Sequence, residues 1–92
     1  MANFDNNEED IKNIINQFII KNFIFNDQKE SIDENLSLYE KEIIDSTGVL
    51  ELVDFIEEKF NIKIEDEELI PDNLDSILKI SKFIQRKIEN VS

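Results

Sequence analysis

Three stretches of this chain carry apolar residues at helical spacing, and that periodicity restricts the fold more than any other feature. Ile11, Ile14, Ile15, Phe18 and Ile19 repeat at i, i+3, i+4, i+7 and i+8. They follow Glu8, Glu9 and Asp10, acids suited to the electropositive first turn of a helix, so a first helix is expected from about Glu8 to Asn22. The apolar run continues through Ile20, Phe23, Ile24 and Phe25 until Asn26, Asp27 and Gln28 break it. Asp45, Ser46 and Thr47, all N-cap residue types, precede Val49, Leu50, Leu52, Val53, Ile56 and Phe60; a second helix is expected over about Ser46 to Phe60. Ile77, Ile80, Ser81, Ile84 and Ile88 form the stripe of a last helix over about Ser76 to Glu89, with Asn73 and Asp75 as candidate caps and Leu74 as a hydrophobic staple.

The segments between these helices are read from their punctuation. From Asp27 to about Glu42 a polar stretch holds Ile32, Leu36, Leu38 and Tyr39, spaced like anchors that pin a long connection over about 25–44; Leu36 to Tyr39 suits a single helical turn. After Asn61, the triplet Ile62, Lys63 and Ile64 alternates, but three residues without a partner strand form a connector whose isoleucines face the core. Asp66 is expected to cap a short turn from Glu67 to Ile70. Pro71 closes it, because proline disfavours helical geometry in the residue before it. The fold class is therefore all-α, a four-helix bundle with a short third helix, in a single domain over 1–92 that is structured from about 8 to 90.

Charge and composition narrow the function. Lys and Arg number 10 against 22 Asp and Glu, a net charge of −12 that repels phosphate backbones and anionic lipid, so neither nucleic acid nor membrane is an expected partner. Cys and His are absent, which removes disulfides, thiolate and imidazole metal sites, a cysteine nucleophile and the usual general base; the chain is not expected to be an enzyme. Met1 to Asp5 lack a basic n-region and no stretch approaches ~18 uninterrupted apolar residues, so a cytoplasmic chain is expected. Residues 45–72 hold 10 acids and 2 bases, interleaved with apolar residues, which makes them a charged face on a folded element and a complement to a basic surface. The run Glu65 to Glu68 lacks the spaced ligands and turn glycine of a calcium loop and reads as capping and surface charge; no metal is expected. A carboxylate hydrolase built on that run would lack the pocket needed to separate two pKa values.

Gly48 is the only glycine, and it falls just inside the second helix, where glycine costs about 0.5–1 kcal/mol relative to alanine. Its presence there allows a backbone or a ligand to approach the first turn closely. Ser46, two residues earlier, stands at a helix N-terminus whose unpaired amides and dipole favour a phosphate-sized anion.

The run from Ile43 through Asp45, Ser46, Thr47 and Gly48 to Val53, continued by Phe55 to Phe60, resembles the Asp-Ser-Leu-type signature and following helix of acyl and peptidyl carrier proteins. The likeness extends through Ile62 to Ile64, Asp66 to Leu69 and Pro71 to Ile77, and covers about residues 8–90. It implies that a phosphopantetheinyl transferase, with coenzyme A and magnesium, attaches phosphopantetheine to Ser46. It also implies that an acyl- or aminoacyl-activating ligase loads the arm with a thioester, that downstream thioester-using enzymes unload it, and that the chain is a monomer. On the same resemblance Asp45 assists modification, while Thr47, Leu50, Glu51, Asp54, Glu57 and Glu58 form a docking face for Arg and Lys patches. Thr47 stands where leucine is common, and with Gly48 and the lead from Asn73 to Ile77 it leans toward a specialised biosynthetic pathway. Glu42 stands where such carriers commonly have glycine, which puts the path of the preceding loop in question. The alternative is an acidic helical adaptor of the same fold, never modified, that docks basic proteins.

Overall fold

A computed structural model describes residues 7–23 and 32–90 of the 92-residue chain. Its elements follow in the order α1 (Glu8–Phe23), α2 (Ser46–Phe60), a 3-10 turn (Asp66–Glu68), α3 (Pro71–Leu74) and α4 (Ile77–Asn90), with no strand among the described residues. The all-α bundle with a short third helix is as expected, and α2 has the expected bounds. Ile24, Phe25, Asn26, Asp27 and Gln28, expected to end the apolar run and open the long loop, lie outside the described residues.

Ile11, Ile15 and Ile19 on α1 are buried together with Leu52 and Ile56 of α2 and Ile77, Ile80 and Ile84 of α4, so the three stripes meet in one core. Burying each such side chain is worth about 1.5–3 kcal/mol. Ile62 and Ile64 also point into the core while Lys63 between them is exposed, as a connector and not a strand. The buried hydroxyls of the last helix are satisfied: Ser81 Oγ donates to the Leu78 carbonyl at 2.9 Å and Ser76 Oγ accepts from the Lys79 N–H at 3.1 Å.

Two local assignments change. The short third helix was expected from Glu67 to Ile70, closed by Pro71; instead Pro71 opens α3, because the missing N–H of a proline costs nothing in a first helical turn whose donors are unpaired anyway. The residues before it form the 3-10 turn, entered from Glu65, whose N–H donates to Glu68 Oε1 at 2.9 Å; Asp66 is the first residue of that turn and not its cap. Asn73 and Asp75 do not cap α4 either. Ser76 takes that role, while Asn73 Nδ2 donates to the Glu68 carbonyl at 2.9 Å.

Asp75 instead fastens the long loop. Its carboxylate accepts from Ser37 Oγ at 2.9 and 2.8 Å and from the Tyr39 N–H at 3.1 Å, and its carbonyl accepts from the Leu38 N–H at 2.6 Å. Further ties run from the Ile32 N–H to Asn16 Oδ1, from the Leu78 N–H to the Glu34 carbonyl, and from Lys12 to Glu34. The expected anchors Ile32 and Leu38 are buried, with Leu36 and Tyr39 packed against the same core.

The loop's helical turn is shifted slightly from Leu36–Tyr39, since the Lys41 N–H reaches the Ser37 carbonyl. It ends in a Schellman arrangement: the Ile43 N–H donates to the Leu38 carbonyl and the Glu42 N–H to that of Tyr39, both at 3.0 Å. The residue at the turning point is Glu42, with φ 57°, a left-handed geometry that glycine adopts freely and a residue with Cβ adopts at about 1–2 kcal/mol. The loop thus keeps the left-handed corner and makes a glutamate bear it. Glu42→Gly is expected to leave stability unchanged or raise it by up to about 1 kcal/mol, and Glu42→Val to lower it by at least about 1 kcal/mol, in urea denaturation. A marked loss in Glu42→Gly would contradict the left-handed turn.

Glu68 joins the turn to α4 through Lys87, at 2.9 Å, with 28% of the carboxylate side chain exposed. Its pKa lies below the ordinary carboxylate value, first because of the Glu65 N–H and then because of the Lys87 ammonium. A depressed folded-state pKa contributes stability above the unfolded value of ~4.3 that is lost as pH falls through the lower folded value. Protonating the other acids relieves self-repulsion and acts in the opposite direction, so the pair is visible only as a difference. Glu68→Gln is expected to be less stable than the parent at pH 7 by about 1 kcal/mol or less, with the gap closing as pH falls below the unfolded value and through the lower folded one. A gap independent of pH would exclude the charge effect.

Candidate functional site

The chain reaches α2 by way of Ile44, which is buried, and Asp45, which is exposed in an extended conformation at φ −110° and ψ −171°. That geometry is what an N-cap requires: the Asp45 carbonyl accepts from the Val49 N–H at 2.9 Å, and Oδ1 accepts from the Gly48 N–H at 2.7 Å. Only one carboxylate oxygen is used; among the described residues Oδ2 has no hydrogen-bond partner. Capping and a second role for Asp45 are thus sterically compatible.

Ser46 is the first residue of α2 and is exposed, and no described residue hydrogen-bonds its hydroxyl. It stands at the end of the helix where amides are unpaired and the dipole is positive, next to a carboxylate that already neutralises part of that field.

Gly48 is buried, and a Cβ built on it would come within 2.9 Å of Phe23 Cε1 and 3.3 Å of Asp45 Oδ1. What approaches the first turn in the folded chain is the ring that ends α1. Phe23 lies edge-on to Phe18 at 5.8 Å between centroids, and Phe18 stacks on Phe55 of α2 at 4.1 Å and 15°. This aromatic run holds the C-terminal half of α1 to α2 and fixes the Ser46 turn against it. Phe23 was missed as a site residue; the signal was the combination of a ring at the end of the first apolar stripe and a sole glycine in the second.

Helical spacing aligns Ser46, Leu50, Asp54 and Glu57 on one stripe of α2, with Thr47, Glu51 and Glu58 on the adjoining one. Thr47, Glu51, Asp54 and Glu58 are exposed, and Leu50 is 55% exposed. Glu57 departs from the set: it is half-buried, and its Oε2 accepts from the Ile64 N–H at 2.8 Å, which anchors the connector after α2. Among the described residues the other exposed large apolar side chain is Ile70, 43% exposed ahead of Pro71. Among the described residues no three acids converge on a metal-sized site; Glu65 and Glu68 are engaged in their turn and with Lys87. No helix among the described residues is long and apolar enough to cross a membrane.

No protein-family model matches the chain. It is 29% identical over 59 residues to a probable acyl carrier protein, PigG, of Serratia sp. (strain ATCC 39006), a match that spans 64% of this chain and 68% of that protein. This distant likeness, with the all-helical fold, supports a family of the acyl-carrier type.

The Phe23 contact yields a test by double-mutant cycle. In the parent, Gly48→Ala drives a methyl against the ring and is expected to lower stability, outweighing the helix propensity of alanine. In a Phe23→Ala background the same change is expected to raise stability by about 0.5–1 kcal/mol. Equal effects in both backgrounds would mean that the ring does not impose the glycine.

Proposed function

We propose that this chain is a non-catalytic carrier that holds an acyl or aminoacyl group on a phosphopantetheine arm attached through the Ser46 oxygen as a phosphodiester. The observation that carries the reading is an exposed serine opening an acidic helix directly after its N-cap aspartate, in an all-helical chain similar to a probable acyl carrier protein. The arm, derived from coenzyme A, supplies the thiol this sequence lacks and with it thioester chemistry.

The chain's own residues present and steer. Asp45 keeps the first turn closed through one carboxylate oxygen and offers the other to the magnesium-dependent transferase. Leu50 gives partners an apolar contact, while Glu51, Asp54 and Glu58, with Thr47 beside them, attract Arg and Lys patches of the transferase, the acyl- or aminoacyl-activating ligase and the downstream thioester-using enzymes. Exposed ion pairs contribute only about 0–1 kcal/mol each, so the acids act together on encounter rate and not as individual anchors. Attachment confines the reactive group near each docked enzyme and raises its effective concentration. Such a carrier works as a cytoplasmic monomer, in a specialised biosynthetic pathway on the strength of Thr47 and Gly48.

Intact mass decides the matter. Incubation with a broad-specificity phosphopantetheinyl transferase, coenzyme A and magnesium is expected to add one phosphopantetheine to the parent and none to Ser46→Ala. An unmodified parent that still binds basic partner proteins through α2 would select the adaptor reading instead.

A further inference from the structure

Between α1 and α2, lined by the stacked Phe18 and Phe55, lies an open groove of about 410 Å³, within the ~300–1,000 Å³ range of small-molecule sites. Its apolar lining comes from Ile14, Phe18 and Phe55, and its other lining residues are two amide side chains and Lys21 and Lys59. Among the described residues no carboxylate lines it, in a chain with 22 acids and 10 bases. Neither lysine is engaged in an ion pair among the described residues, although Lys12, Lys82 and Lys87 are. Two uncommitted cations over an aromatic floor, on an otherwise acidic surface, have one natural complement: a flat apolar body bearing a negative charge.

We infer that the α1–α2 groove is a non-covalent binding site for a small aromatic carboxylate, its ring against Phe18 and Phe55 and its carboxylate between Lys21 and Lys59. The site is separate from the Ser46 turn. Phe55 lies nine residues further along α2, about 13.5 Å down the axis and half-way around it. The inference therefore goes beyond the carrier reading and does not rest on it.

The test is an amide-resolved NMR titration of the full ¹⁵N-labelled chain with 2-naphthoate, its neutral isostere 2-naphthamide and acetate. Saturable shifts centred on Ile14, Phe18 and Phe55 are expected with 2-naphthoate, with 2-naphthamide at least about fivefold weaker and acetate without effect. The exposed pair of changes Lys21→Gln and Lys59→Gln is expected to weaken 2-naphthoate by a similar factor while leaving 2-naphthamide unaltered. Ser46→Ala is expected to bind as the parent does, whatever the outcome of the mass experiment. Shifts scattered over the surface, equal affinity for acid and amide, indifference to both lysine changes, or loss of binding in Ser46→Ala would each overturn the assignment.

Discussion

The architecture depends on how the long connection between α1 and α2 is held, and the fastening point is the backbone of Leu38 against Asp75. One N–H to carbonyl bond and two donors on the Asp75 carboxylate, the Ser37 hydroxyl shared between both oxygens and the Tyr39 N–H, tie the middle of the loop to the corner where α3 turns into α4. Closing a long loop costs entropy that rises only slowly with its length, so a few well-satisfied polar ties and buried anchors suffice to hold residues 32–44 against the helices. Leu38 also receives the Ile43 and Ile44 N–H groups on its own carbonyl. A short hydrogen-bonded path thus leads from the corner before the last helix to the residue that precedes Asp45 and Ser46.

From the other side the same turn is set by an aromatic contact. Phe23 occupies the space that a side chain at position 48 would need, so the glycine is a packing requirement and its cost in helix propensity is offset by the fit of α1 against α2. Polar ties on one side and a ring on the other flank the first turn of α2, where Ser46 is exposed. Under the proposed carrier role, an attachment residue seated in this way suits delivery of a tethered group to several enzymes.

Charge is distributed with the same economy. The acids of α2 remain free of the ion pairs seen among the described residues, which involve Glu8, Glu34 and Glu68 on other elements. Glu57 alone on that helix is drawn into the structure, where its carboxylate secures the Ile64 N–H. An acidic face left unneutralised within its own molecule supports a role in long-range attraction, since internal pairing would have cancelled its field.

Periodicity by itself determined the helical class, the bounds of α2, the three apolar stripes and the inward isoleucines of the connector, because those follow from which side chains share a face. The Asp45, Ser46 and Gly48 constellation was legible for the same reason: capping and helix-terminus chemistry are local. The tertiary structure alone decided that Asp75 fastens a loop and does not cap a helix, that Glu57 serves the fold, that Phe23 imposes Gly48, and that Pro71 starts a helix and does not end one. Each of these turns on a partner either distant in sequence or chosen among equally good local options, and spacing along a chain carries no record of which partner the folded molecule selects. Glu42 lies between the two cases: its substitution for glycine was visible in the sequence, while the bonds that force it into the left-handed region join atoms only once the loop is closed.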